Sequence, residues 1–371
     1  MDAEKRAVDF EWKYNHMARA YKHKKSALLK TDRELEVERR SHDEQVRALT
    51  RHNEELAALL ERRSTELSAA QALLPSPGNL TDKQVVDMVQ ELNYELSQTA
   101  IVLSESFEDQ LQVRPATEVL SESTNNLRRY VGARMVDLLR NSRKGKTKLD
   151  ATTVLQIGFQ ACLAFCVHHI VSLWCFASEM TNSDINSIYK SLCRMEKDYV
   201  AMKWRNLTKK SAREALDRPS VETELVKIMA NVLADAVVVA GFAVPGQGAD
   251  STEADLLSKA SQRMEEIARL AMNLNGVVGQ DFSPCTMTPY IADCGSPFDP
   301  ETMLDGFSDV AGGVPNANAD RRVLCSTDMG LIRLEGVGGK GHAVLVKPTV
   351  ALDVLLDHDC DRDSPVVVVS H

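Results

Sequence analysis

The chain contains no GxSxG, HExxH or CxxC pattern. These spacings set a nucleophile, a zinc-binding histidine pair or a redox dithiol on a defined turn or helix face. No catalytic class is therefore indicated, and no catalytic residue, cofactor or metal is expected. The eight cysteines follow no regular framework, which excludes a disulfide scaffold and predicts reduced thiols in a cytoplasmic protein, with the nucleus as the alternative. The opening MDAEKRAVDFEW is charged and lacks an apolar core or cleavage site, so no secretory signal is expected. Aromatic residues are scarce, at 5% of the chain.

Only one stretch is long and apolar throughout, Val154–Phe176 (VLQIGFQACLAFCVHHIVSLWCF). Leu155, Phe159, Cys162, Cys166, Ile170 and Leu173 fall on one helical stripe, and Ile157, Phe165, Val171, Trp174 and Phe176 make the opposite flank apolar too. Such a helix lies inside a bundle or a membrane. Gln156, Gln160 and the pair His168–His169 would be costly in hydrocarbon without other spans to cover them, and no second such run exists. The expectation is a central helix of a soluble domain, with membrane disfavoured.

What is present in abundance is helical periodicity. At 371 residues and 44% hydrophobic content, the chain is long enough for a full-sized core and more than one folded unit. Tyr14, Tyr21, Leu28, Leu35, His42, Leu49, Leu56, Arg63 and Ala70 are seven apart. From Val46 a second seam of Val46, Asn53, Leu60, Leu67 and Leu74 joins them, the heptad signature of a coiled coil. The predicted seam is Val46, Leu49, Asn53, Leu56, Leu60, Leu67 and Leu74. An Asn at an a position fixes the register of a parallel two-stranded coil, so the expected partner is a second copy of the chain. Upstream, Lys25, Asp32 and Arg39 occupy the a positions, and this half is the poorer one. The segment Lys13 to Lys30 carries six Lys/Arg and no acid. A solvated helix face explains that charge better than nucleic-acid binding, which stays as an alternative.

Pro75-Ser76-Pro77-Gly78 ends the rod, and Thr81 with Gln84 forms a capping box that restarts a helix. Its inner stripe is Val85, Val89, Leu92, Leu96, Leu103, Phe107 and Leu111. A second helix runs from Pro115 through Leu139, and the basic loop Ser142 to Asp150 leads into the central helix. A further helix capped by Ser183 or Asp184 faces inward with Ile185, Ile188, Leu192, Met195, Tyr199 and Met202. Another starts at Pro219, Gly241 to Glu253 is a linker, and the last helix ends at Asn275-Gly276. The runs HNEELAALLERRSTELSAAQALL, LTDKQVVDMVQELNYELSQTA and VLQIGFQACLAFCVHHIVSLWCF, with FDPETM and LCSTDMGLIRL, resemble a group of coiled-coil plus helical-domain proteins of mushroom-forming fungi. That resemblance implies the layout and brings no activity with it.

From Phe282 the pattern changes. Leu331–Glu335 and His342–Lys347 read as two strands around the Gly-rich run Gly336 to Gly341. A phosphate loop is excluded there because the run leads into a strand. FDP at Phe298–Pro300 and a late Lys-Pro-x-Val strand resemble the β-domain of GrpE-type exchange factors, which implies a cochaperone. The His-Glu-Ala usual after FDP is absent; Met303-Leu304-Asp305 stands here. Residues 281–371 carry 6 Lys+Arg against 14 Asp+Glu, which disfavours phosphate binding at this end. Asp357, Asp359, Asp361 and Asp363 imitate a calcium loop, but Arg362 replaces the obligatory Gly and Val368 the bidentate Glu. Cys162, Cys166 and His169, with Cys193, have zinc-ligand chemistry; buried cysteines serve more often as small hydrophobes, and no metal is expected.

The predicted architecture is mainly α: a long helix or coiled coil over 1–74, an all-α helical domain over 80–275, a small β-containing module over 282–362 and a tail over 363–371. The predicted function is a non-catalytic scaffold or adaptor that dimerises through the coil and holds other, unidentified proteins. The cochaperone and the nucleic-acid binder are the alternatives.

Overall fold

A computed structural model of the chain describes residues 2–73, 81–107, 117–142, 149–242, 249–278, 285–308, 321–335 and 341–356. Seam residue Leu74, the Pro75–Gly78 break, Leu111, Pro115, most of the basic loop, the Gly-rich turn and the acidic tail lie outside these residues. The chain divides into two compact units, Met1–Leu74 and Pro75–His371.

The first unit is one helix, α1 (Asp2–Leu73), about 108 Å long at 1.5 Å per residue. Neither Gly nor Pro occurs before Pro75, so no residue interrupts the backbone hydrogen-bond ladder. Ion pairs between neighbouring turns add modest support: Lys13–Asp9 at 2.9 Å, Arg40–Glu36 at 2.9 Å and Arg63–Glu66 at 2.7 Å. The poorer upstream half continues the same helix, and from Ala7 to Leu67 every residue is exposed.

The second unit is mainly helical with a small β module. α2 (Asp82–Glu105) opens with the expected capping box: the Gln84 amide N–H donates to Thr81 Oγ1 at 3.3 Å, and the Thr81 N–H donates to Gln84 Oε1 at 2.8 Å. Val85, Val89, Leu92, Leu96 and Leu103 are buried along it. The expected Pro115–Leu139 helix is two helices, α3 (Thr117–Val131) and α4 (Ala133–Ser142). The break is Gly132, at φ +81°, where an added Cβ would lie 2.9 Å from Cys294 Cβ. A left-handed residue ends one helix and lets the next start at a new angle.

α5 (Ala151–Ser172) is the central helix, and it packs against α2, α3, α4, β1 (Cys285–Tyr290) and β3 (Val323–Ser326). It is long and apolar enough to cross a membrane, and most of it is buried inside this unit. Asp150 caps its start by accepting from Thr153 N at 2.8 Å. It stops four residues short of the predicted Phe176. The Asn275 side-chain amide donates to the carbonyls of Ile170, Val171 and Leu173, and Asn182 Oδ1 accepts from the N–H groups of Trp174 and Cys175. These side chains satisfy backbone groups that another helical turn would have used.

The helix expected from Ser183 to Met202 is also two helices. α6 (Glu179–Met195) starts earlier, capped by Ser178, and α7 (Asp198–Glu214) follows after Glu196 turns extended. No residue of α6 is buried, and Ile188 and Met195 of the predicted inner face are exposed. Trp174, Tyr189 and Trp204 hold the pair together: Trp174 meets both other rings edge-on, with centroids at 4.9 and 5.7 Å. α8 (Arg218–Ala240) begins at the predicted proline and closes on Gly241 at φ +77°. α9 (Ala249–Val278) starts inside the expected linker, kinks at Ala260 and runs past Asn275-Gly276. Gly276 is not a cap; the Arg213 guanidinium lies where its Cβ would be, at 2.5 Å.

Two three-stranded sheets complete the unit. β1 pairs antiparallel with β4 (Gly330–Glu335), and β4 with β5 (Gly341–Val346), the hairpin that the sequence indicated. β6 (Thr349–Leu352) lies between β3 and β2 (Leu304–Asp305), antiparallel to the first and parallel to the second. Met287, Leu324, Met329, Leu331 and Ala351 share one core with the helices. Polar ties cross the same boundary: Asn93 of α2 exchanges two hydrogen bonds with Met329, at 2.8 and 3.1 Å, and Arg134 of α4 pairs with Asp353 at 2.8 Å.

Candidate functional site

Two features carry chemistry that the fold itself does not consume. The first is the apolar seam of α1. Val46, Leu49, Leu56, Leu60 and Leu67 are all exposed, Leu49 at 63% and Leu60 at 71%, and Asn53 is exposed with them. Seven-residue spacing sets them on one stripe of one helix. At the d position after Leu60 stands Arg63, whose guanidinium turns to Glu66. The basic segment upstream is partly answered on its own helix, with Lys13 on Asp9 and Lys30 at 3.8 Å from Glu34.

The second is a cleft of about 220 Å³ in the second unit, lined by Ser172, Trp174, Asn186, Tyr189, Arg205, Lys209, Thr286, Thr288 and Leu334. Five elements build it: the end of α5, α6, α7, β1 and β4. None of the described residues that line it is acidic. α7 contributes Arg205 and Lys209, with Arg213 one turn on, so three cations share a face at i, i+4 and i+8. Lys209 is 2% exposed. Among the described residues no hydrogen bond or ion pair reaches its ammonium. Burial first, then the neighbouring Arg205 and Arg213, pull its pKa down to about 7. Across the cleft, burial pushes the Tyr189 hydroxyl up to about 12 against the opposing pull of Arg205.

Cys162, Cys166 and His169, the residues with zinc-ligand chemistry, lie in different surroundings. Cys162 and Cys166 are buried within the core, where desolvation raises the first thiol well above its ordinary value and lifts the second to about 12. His169 is exposed, and no group of three or more His, Cys, Asp or Glu among the described residues is placed to hold a metal. His168 is largely buried and accordingly depressed in pKa. The Lys209 cleft was missed by sequence reasoning, although Arg205, Lys209 and Arg213 recur at helical spacing beside Trp204. A basic stripe reads as a wet face until the neighbours that cover it are known. No family model, no curated protein and no solved structure matches the chain.

Proposed function

We propose that the protein is a non-catalytic scaffold or adaptor that pairs with a second copy of itself through a parallel coiled coil over Val46–Leu74. The observation that carries this reading is the exposure of Val46, Leu49, Leu56, Leu60 and Leu67 along one stripe of a 72-residue helix. An isolated helix of this length gains most of its stability from covering an apolar face, and a second helix with the same heptads covers it without leaving an edge. Asn53 supports the parallel, in-register arrangement, since its amide finds its twin across the seam only there. Pairing would bring two copies of the Pro75–His371 unit onto one rod, which is what an adaptor for other proteins requires. The test is the mass of the full chain in solution. Light scattering or sedimentation at micromolar concentration should give twice the 41.1 kDa of the chain, and a monomer at tens of micromolar would remove the reading.

A further inference from the structure

We propose that the cleft between α5, α6, α7, β1 and β4 is a binding site for a small organic oxyanion, a carboxylate or a phosphate monoester, received by the Lys209 ammonium. The inference is independent of the coiled coil. Its first support is Lys209 itself: a cationic residue only 2% exposed that lines the cleft, its ammonium reached by no hydrogen bond or ion pair among the described residues. Its neighbours on α7 are two more cations, an arrangement that repels itself when the cleft holds only water. A bound anion answers the Lys209 charge, while Arg205 hydrogen-bonds the Tyr189 hydroxyl and Arg213 Nε donates to the Lys209 carbonyl.

The second support is the remaining lining. Ser172, Thr286, Thr288 and Asn186 supply hydroxyl and amide donors, while Trp174 and Tyr189 supply aromatic rings. Donors with aromatic walls suit an anionic head group attached to a planar or apolar body. Size narrows the class. An engineered cavity of about 150 Å³ takes benzene, and a cleft of about 220 Å³ therefore takes a ring bearing one carboxylate or phosphate rather than a nucleotide.

Among the described residues, the charged groups acting on Lys209 are Arg205 and Arg213 on its own helix, and Tyr189 of α6 lines the same cleft. β1 and β4 present Thr286, Thr288 and Leu334, and the end of α5 presents Ser172 and Trp174, none of which ionises in the neutral range. An anion at the site favours the protonated lysine, so binding above neutral pH draws a proton from solution. Affinity then falls by about tenfold per pH unit between the free and the bound pKa of Lys209.

The test uses the full chain with benzoate and phenyl phosphate, by calorimetry at pH 6.5 and 8.5 in two buffers of different ionisation enthalpy. Expected is millimolar or tighter binding at pH 6.5, at least tenfold weaker binding at pH 8.5, and uptake of up to one proton per anion at the higher pH. Lys209→Met should lose at least tenfold in affinity at pH 6.5. Lys210→Met, which removes the exposed neighbour that pairs with Glu214, should change nothing. Lys209→Arg keeps the charge without a titration in this range, so it should retain binding and lose proton uptake, and it serves where Lys209→Met does not fold. Absence of heat with both anions at 10-fold excess over about 5 mM, or unchanged affinity in Lys209→Met, or binding at pH 8.5 without proton uptake, overturns the proposal.

Discussion

Truncating one layer of the α1 seam offers the most direct measurement of what those side chains do. Leu56 is 44% exposed and Leu49 63% exposed on the single helix, so pairing would withdraw roughly 100 Å² of each from water, worth about 2–3 kcal/mol per side chain at ~25 cal/mol per Å². Leu56→Ala deletes three carbons from each of two helices. At about 0.8 kcal/mol per buried carbon the lost transfer energy is about 4–5 kcal/mol per dimer, or roughly three orders of magnitude in Kd. Alanine is the best helix former, so any weakening reports on the seam rather than on α1 itself. Sedimentation equilibrium of the full chain should show the dissociation midpoint rising by that factor, while far-ultraviolet circular dichroism at high concentration stays unchanged. Asn53→Leu should act in the opposite direction, tightening association while admitting more than one oligomer or register. If Leu56→Ala leaves the midpoint where it was, the heptads are a helix surface and nothing more.

The second unit offers sharper tests of its own packing. Gly132→Ala should lower stability by about 2 kcal/mol, or roughly 4–8 °C in Tm by calorimetry, because the position is left-handed and an added Cβ meets Cys294 Cβ at 2.9 Å. Asn275→Leu leaves the carbonyls of Ile170, Val171 and Leu173 without their donor and should cost about 2–3 kcal/mol in a urea titration. The lysine at 209 binds its proton more weakly folded than unfolded, so the unfolded chain holds the extra proton and stability rises with pH from about 7. Cysteines with raised pKa values, Cys162, Cys166 and Cys325, act the other way only as pH climbs past the ordinary thiol range. Between pH 7 and 9 the ligand-free protein should therefore gain about 1–2 kcal/mol, and Lys209→Met should flatten that rise. Hydrogen exchange followed by mass spectrometry should find α6 exchanging well before α5, since none of its residues is buried; equal protection of the two would contradict the packing described.

Periodicity and capping were the legible part of this sequence. The heptads made the helix from Val46 readable, the Thr81–Gln84 box gave the start of α2, and the long apolar run gave α5 as the centre. Elements whose limits depend on a distant residue were not readable. The stop of α5 at Ser172 comes from Asn275, about a hundred residues away, and the bend after Val131 exists because Cys294 leaves room only for a glycine. The stripe Ile185–Met202 has helical spacing throughout, yet Glu196 turns extended, and α6 and α7 meet instead through the rings of Trp174, Tyr189 and Trp204. Asn275-Gly276 looks like a helix end in sequence, and its two residues instead serve α5 and Arg213.

The cleft was invisible for a related reason, and the same reason explains why it is informative. Charged residues at helical spacing lie on the wet side of most helices, since a buried ammonium without a partner costs several kcal/mol. On α7 the middle cation of three is buried and lines the cleft together with Trp174 and the β1 threonines, while the exposed Lys210 beside it takes the ion pair with Glu214. Packing alone does not ask for this: a methionine at 209 would fill much of the same volume, with no charge to desolvate and no repulsion from Arg205 and Arg213. The fold thus keeps a desolvated cation where hydroxyls, an amide and two rings line an open volume. Destabilisation of that kind is relieved when an oppositely charged group enters, and the free energy released on relief adds to the affinity for that group.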